Sequence, residues 1–319
     1  MSNRMKIVLL DTLTFGDTSL KAFNALGDVT SYPTTSSDET LARVCEADVI
    51  VTNKVVINDA MMEASPKLKL ICVAATGMNN IDHEAAQRRG IAVKNVAGYS
   101  TDAVVQHTFS ILFYLMGHSR YYDEYVKSGA WQKEAVFTHI GPSFSELRGK
   151  TWGIIGLGEI GRGVATVARA FGANVVYYST SGKNDTGDFE KTTLSRLIEN
   201  SDIISIHAPL NRSTENLISH SELLQMKDGA VLLNLGRGGI VDEDALSVII
   251  DVKPIFVGLD VLVKEPMKTA HPLLNIKHSE RLYITPHIAW TSREARERLI
   301  AATVENIRSL QRSLLICNA

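Results

Sequence analysis

Cysteine is scarce in this chain: there are three, at Cys45, Cys72 and Cys317, in 319 residues. No two have the spacing of a zinc or thiol–disulfide motif, so neither a metal site nor a disulfide framework is expected, and an odd count fits a reducing cytoplasm. Net charge is nearly absent as well: 33 Lys and Arg stand against 35 Asp and Glu, which points away from nucleic acid and from anionic membranes. The arginines Arg293, Arg296 and Arg298 alternate with Glu294 and Glu297, the pattern of a solvated helix face. Long apolar runs are missing too. The stretch beginning at Ile7 is too short for a signal peptide core or a membrane span. Repeats, low-complexity tracts and heptads are also missing.

What the chain has is alternation. Short apolar runs at Lys6–Leu10, Val49–Thr52, Leu70–Val73 and Ala92–Val96 read as strands. Helical segments separate them at Ser19–Leu26, from Ser36 or Ser37 to Cys45, at Asn58–Ala64 and at Asp82–Arg89. Unbroken apolar strands interleaved with helices imply a parallel sheet covered on both faces. Thr101–Ser128 reads as one helix of about 42 Å. A looser stretch, Gly129–Gly149, follows it. A second series then begins, with strands at Trp152–Ile155, Asn174–Tyr178, Ile203–His207, Ala230–Asn234, Val257–Leu259 and Leu282–Ile284. Its helices are expected over Arg162–Phe171, Thr193–Glu199, Ser221–Met226 and Asp242–Ile250, and Ser292 caps a last helix reaching about Ser313.

The first turn of that second series carries Gly156, Gly158 and Gly161 in G-x-G-x-x-G spacing, between a strand and a helix. That context makes it a dinucleotide fingerprint. Gly156 permits the tight turn, Gly158 lets backbone approach a pyrophosphate, and Gly161 lets helix and strand pack closely. The helix N-terminus faces the phosphates with its free amides. Three later segments each follow a strand and so stand where a parallel sheet binds ligands. They contain Arg237, then Asp260 and Glu265, then His287. A guanidinium can hold a carboxylate through two hydrogen bonds. An imidazole titrates near neutrality and can give a proton to a carbonyl oxygen. A carboxylate beside it would orient the ring. These are the groups that reduction of a 2-oxo acid by a nicotinamide requires. The backbone amides of Ala75, Thr76 and Gly77, after a strand of the first series, are candidates for the substrate carboxylate. The other histidines, His107 among them, read as structural.

The motifs GLGEIG, HAPL (207–210), NLGRGGIVDEDAL (234–246), LDV with KEP, and TPHIAW fall in one order. So do ATGMNNID (75–82) and GYSTDAVVQHT (98–108) in the first half. In these the chain resembles the D-isomer-specific 2-hydroxyacid dehydrogenases over nearly its whole length. The resemblance implies Arg237, Glu265 and His287 as the catalytic triad. It implies cofactor contacts from Thr101, Glu159, Ile160, Ala208, Pro209, Leu235, Gly236 and Asp260, with Asp260 on the nicotinamide amide. It also implies two doubly wound α/β domains, a flavodoxin-like substrate domain of residues 1–98 plus 288–319 and an inserted Rossmann-type NAD(P) domain of residues 99–287. A homodimer formed through the cofactor domain is expected, with Gly129–Gly149 as a connecting arm. Within the family, GYSTDAVVQHT and HIAWTSREAR look most like glycerate dehydrogenases, which reduce hydroxypyruvate or glyoxylate. D-lactate and 3-phosphoglycerate enzymes fit less well. A dinucleotide-sensing corepressor of the same fold can carry the same triad, but basic or disordered partner-binding tails are missing here.

One position departs from the pattern. NAD-binding members usually place an acid about 20 residues beyond the fingerprint, on the ribose hydroxyls. Here the strand ends in Ser179, Thr180, Ser181, Gly182 and Lys183, with Asp185 further along. Without that acid a 2′-phosphate is not repelled, and Lys183 is available to pair with it. NAD and NADP are both expected, with a lean to NADP.

Overall fold

The structure is a computed structural model that describes residues 4–183 and 187–317. Asp185 lies outside the described residues, and so does the side chain of Cys317. The chain divides into two compact units, Met1–Ser100 with Thr291–Ala319, and Thr101–Trp290. The sequence reading placed the divisions at 98 and 287.

The first unit is built on strands β1 (Lys6–Leu9), β2 (Asp28–Ser31), β3 (Val49–Thr52), β4 (Leu70–Val73) and β5 (Ala92–Lys94). They form one parallel sheet in the order β2-β1-β3-β4-β5, the flavodoxin-like arrangement. β3 and β4 are buried at every residue, as strands covered on both faces must be. Helices α1 (Ser37–Val44), α2 (Asp59–Glu63) and α3 (His83–Arg88) start at side chains that satisfy their first amides. Ser36 and Glu39 form a capping box, Asn58 accepts from Met61 N, and Asp82 accepts from Ala85 N. The segment expected as a helix over Ser19–Leu26 forms only a 3₁₀ turn, Lys21–Ala25. β2 went unseen in the sequence because it is short, mostly polar and exposed.

The second unit opens with α4 (Thr101–Met116) and α5 (Ser119–Lys127). These replace the single long helix expected over Thr101–Ser128. The break is at Gly117–His118: His118 is left-handed, with φ 47°, which no α-helix continues through. Gly129–Gly149 holds only a 3₁₀ turn, Trp131–Lys133, among its regular elements.

The sheet of this unit contains β6 (Thr151–Ile155), β7 (Asn174–Tyr178), β8 (Glu190–Lys191), β9 (Ile203–Ile206), β10 (Val231–Asn234), β11 (Phe256–Leu259) and β12 (Leu282–Ile284). Between them lie α6 (Glu159–Ala170), α7 (Leu194–Asn200), α8 (His220–Gln225) and α9 (Glu243–Val252). The spatial order is β12-β11-β10-β9-β6-β7-β8, all parallel. Counted from β6, this is the Rossmann order 3-2-1-4-5-6 with one strand added beside the sixth. Alternate residues feed two cores: Ile155, Ile204, Ile206 and Leu232 in one, Trp152, Ile154, Ile203 and Leu233 in the other. Trp152 is fully buried, and its indole N–H is satisfied by Ser205 Oγ at 2.9 Å. α6 begins at Glu159, three residues before the expected start at Arg162.

Beyond Trp290 the chain re-enters the first unit as α10 (Arg293–Cys317). Asn306 Nδ2 donates to Asn95 O at 3.1 Å, and Gln311 Nε2 to Leu26 O at 2.7 Å. Arg296 reaches Phe15 O, Asp17 and Thr18 within 3.0 Å. No helix among the described residues is long and apolar enough to cross a membrane.

Candidate active site

The fingerprint turn joins β6 to α6. Gly156 has φ +91°, and a Cβ there would lie 2.9 Å from Ala208 N and 3.0 Å from His207 C. A Cβ on Gly161 would lie 2.2 Å from Gly156 O, so helix and turn meet without room for a methyl. At Gly158 a Cβ would meet nothing within 4 Å, which leaves the backbone open to approach. Gly158 is also the N-cap of α6 and gives no side-chain cap. The first turn closes at Arg162 N on Gly158 O, 2.9 Å, so the amides of Glu159, Ile160 and Gly161 stand ahead of it at the positive end of the helix. Gly236, after β10, packs on the same segment: its Cβ would lie 2.9 Å from Ala208 O. Ala208 and Leu235 are buried there and Pro209 is exposed. Thr101 opens α4, whose Val105 packs against Gly163 of α6.

Two strands that flank β6 end in enclosed polar atoms without partners. Ser179 Oγ, after β7, has no hydrogen bond; nor has either ring nitrogen of His207, after β9. These are three of the four such atoms among the described residues, and buried polar groups are seldom left so. His207 is partly exposed through its other atoms, but burial of the ring pushes its pKa down to about 3. A neutral imidazole and a hydroxyl beside a glycine turn and a helix N-terminus suit the hydroxyls and phosphates of a dinucleotide. Thr180 is half-buried and Lys183 exposed.

The ends of β10, β11 and β12 carry the polar side chains expected to act. His287 Nδ1 lies 2.6 Å from Glu265 Oε2, while Glu265 Oε1 accepts from Leu262 N at 3.0 Å. Glu265 therefore fixes the ring through one nitrogen and leaves Nε2 for a ligand. His287 has φ +56°, a left-handed backbone that costs a non-glycine residue roughly 1–3 kcal/mol. Its surroundings impose it. His287 N donates to Thr285 O at 2.9 Å. Asp260, 2% exposed, accepts from Thr285 Oγ1 at 2.6 Å, from Ile288 N at 2.8 Å and from Ala289 N at 2.9 Å. Asp260 is expected from the sequence as a cofactor contact; in the structure its two oxygens hold the loop that carries His287.

Arg237 is presented by Asn234, a 1%-exposed residue that the sequence reading passed over. Asn234 Oδ1 accepts from Gly236 N at 3.1 Å, and Nδ2 donates to Arg237 O at 2.9 Å. The half-buried guanidinium donates to Gly236 O at 2.8 Å. A Cβ on the next residue, Gly238, would lie 2.0 Å from Leu262 O, so this turn abuts the segment that braces Glu265. In the other unit, Ala75–Gly77 follow β4. Ala75 O accepts from Val96 N at 3.1 Å and Thr76 O from Asn95 Nδ2 at 2.7 Å, so two carbonyls of the loop are held by the segment after β5.

Other reactive groups lie elsewhere. Cys72 is fully buried in β4, where burial pushes the thiol up to about 12; it is a small core residue. Among the described residues no cluster of three or more His, Cys, Asp or Glu is placed to hold a metal ion.

Residues 109–289 match the NAD binding domain of the D-isomer specific 2-hydroxyacid dehydrogenases. A hydroxypyruvate reductase of Blautia hydrogenotrophica is 35% identical over 312 residues, covering 95% of this chain and 96% of its own. A glycerate dehydrogenase of Methylorubrum extorquens is 33% identical over 306 residues, covering 95% of each. Among solved structures, an acyclic imino acid reductase in complex with NADPH and D-Arg superposes with a TM-score of 0.85 at 31% identity, over 97% of this chain and 98% of the other. With matches spanning both units, two parallel-sheet α/β folds and a nucleotide-binding turn, the chain is an oxidoreductase of the D-isomer specific 2-hydroxyacid dehydrogenase family.

Proposed function

We propose that this protein reduces small 2-oxo acids to D-2-hydroxy acids with NADPH or NADH, and that hydroxypyruvate and glyoxylate are its preferred substrates. The observation that carries the reading is the His287–Glu265 pair, 2.6 Å apart and braced on both sides. The preference for hydroxypyruvate is supported by the two relatives, a hydroxypyruvate reductase and a glycerate dehydrogenase. A bound reduced nicotinamide supplies the hydride. Arg237 pairs with the substrate carboxylate and sets the carbonyl carbon in place. The amides of Ala75, Thr76 and Gly77 are assigned to substrate binding. His287 gives the proton on Nε2 to the carbonyl oxygen as hydride arrives, while Nδ1 stays on Glu265. In the reverse direction Nε2 takes the proton back from the hydroxyl.

Residues 99–287 are assigned to the cofactor and 1–98 with 288–319 to the substrate. The pyrophosphate is placed on Gly156, Gly158 and the amides of residues 159–161. Ser179, Thr180 and Lys183 face the adenosine ribose, where the absence of an acid favours NADPH slightly. We assign the protein to the cytoplasm and to a homodimer. The dimer is supported by Val136, Phe137, Ile140 and Phe144, which lie 61–90% exposed on the stretch after α5.

An absorbance assay at the nicotinamide band tests the whole reading. Hydroxypyruvate, glyoxylate, pyruvate and 2-oxoisocaproate are each offered with NADH and with NADPH. Hydroxypyruvate and glyoxylate should turn over fastest; turnover of none of the four would refute the assignment.

A further inference from the structure

His107 lies on α4, 178 positions before Thr285 in sequence, and its Nε2 is 3.1 Å from Thr285 Oγ1 and 3.7 Å from Asp260 Oδ1. Thr285 has a single hydroxyl proton. Asp260 Oδ1 is 2.6 Å away and, as a carboxylate, only accepts. The Thr285 proton therefore points at Asp260, and the lone pairs on Oγ1 are left for a donor. His107 Nε2 is in place to be that donor. Burial lowers the pKa of its imidazole, and Asp260 nearby opposes this only in part, so the ring is neutral at neutral pH. Because the Thr285 proton is committed to Asp260, the tautomer that fits carries its one proton on Nε2. The result is a one-way chain, from His107 Nε2–H to Thr285 Oγ1–H to Asp260. Asp260 then takes the amides of Ile288 and Ala289, the two residues after His287. Thr285 O takes the amide of His287 itself.

We propose that His107 is a positioning residue for the proposed proton donor. By committing the Thr285 hydroxyl to Asp260, it locks the carboxylate that holds His287 in its left-handed backbone. It touches neither substrate nor reacting atoms. The inference rests on the catalytic reading of His287, because its benefit is the aim of that ring.

Three variants test it. His107→Leu keeps the bulk and removes the donor. His107→Gln restores an N–H close to the position of Nε2. Thr285→Val removes the relay. Loss of aim by a fraction of an ångström should lower kcat on the order of tenfold in H107L, with KM for cofactor and 2-oxo acid within about twofold. Amide hydrogen exchange over residues 287–289 should quicken in the same protein. H107Q should recover most of both. T285V should match H107L, and the double variant should be no worse than either alone, because both cut one chain. Unchanged kcat and unchanged exchange in H107L would overturn the proposal. So would equal losses in H107L and H107Q, which would make His107 a packing residue. Should H107L not fold, T285V decides alone: full kcat there overturns the relay, and a tenfold loss supports it. A His287→Ala control separates the two readings. If that variant keeps its kcat, the catalytic role of His287 fails, while the exchange measurement still reports on the brace.

Discussion

Two ends of the same sheet are built very differently. Beyond β11 and β12, Asp260, Glu265, Thr285 and His287 are tied by hydrogen bonds of 2.6–3.0 Å that fix both carboxylates and a left-handed histidine. Beyond β7, the segment that meets the adenosine ribose in the proposed reading offers one enclosed, unpaired hydroxyl and an exposed lysine. One end is over-determined and the other barely determined. The contrast fits the demands on each: proton transfer tolerates little misplacement, whereas the choice between two cofactors turns on a single phosphate.

The sharpest way to break the contrast is at its rigid end. His287→Ala should lower kcat by about 10²–10⁴-fold, the usual contribution of a positioned acid. Stopped-flow or steady-state reduction of hydroxypyruvate checks it, and a near-normal kcat at neutral pH would remove His287 from the mechanism.

His207 lies between the two ends, and its effect should appear in stability. Its pKa is about 3 in the folded protein and about 6.5 when unfolded. The unfolded chain takes up the proton first, so the burial is harmless above about 6.5 and stability is lost as pH falls from there towards the folded value. The slope is at most about 1.4 kcal/mol per pH unit. His207→Asn should flatten the fall in Tm between pH 7 and pH 4.5, measured by calorimetry without cofactor. Parallel curves for the two proteins would mean that the ring is not enclosed.

The loose end should give the smallest effects. Ser179→Asp should move kcat/KM from NADPH towards NADH, because a carboxylate there repels the 2′-phosphate and accepts from the ribose hydroxyls. Lys183→Ala should weaken NADPH by no more than an exposed ion pair contributes, about 0–1 kcal/mol, and leave NADH alone. A wild-type preference for NADH of a hundredfold, about 2.7 kcal/mol, would refute this reading of the loop and leave the family assignment standing.

The same contrast governs what the sequence makes legible. The glycine turn announces itself because its constraints act within six residues, from Gly156 to Gly161. Arg237, Glu265 and His287 stand out through the motifs around them. Asp260 as the holder of the His287 loop is invisible in sequence, because its donors come from 25 to 29 positions later. His107 is more hidden still, since its partner lies in another element and an apolar helix around it invites a structural reading. The break between α4 and α5 goes unseen because the apolar pattern runs up to it unchanged and only the backbone of His118 departs. β2 and β8 are missed for an opposite reason: both are short edge strands with exposed, polar residues, which periodicity does not distinguish from loop.

The return of α10 to the first unit has a consequence for the order in which the protein is made. The first unit contains residues from both sides of Thr101–Trp290, and the contacts of Asn306 and Gln311 with Asn95 and Leu26 join segments more than 200 positions apart. At about 5–20 residues per second, the ribosome needs on the order of 10–40 s to make the intervening stretch. Through that interval β1–β5 wait without the helix that completes their unit, while the inserted unit, continuous in sequence, can fold as it emerges. The part with the simpler sheet is thus the last to be finished.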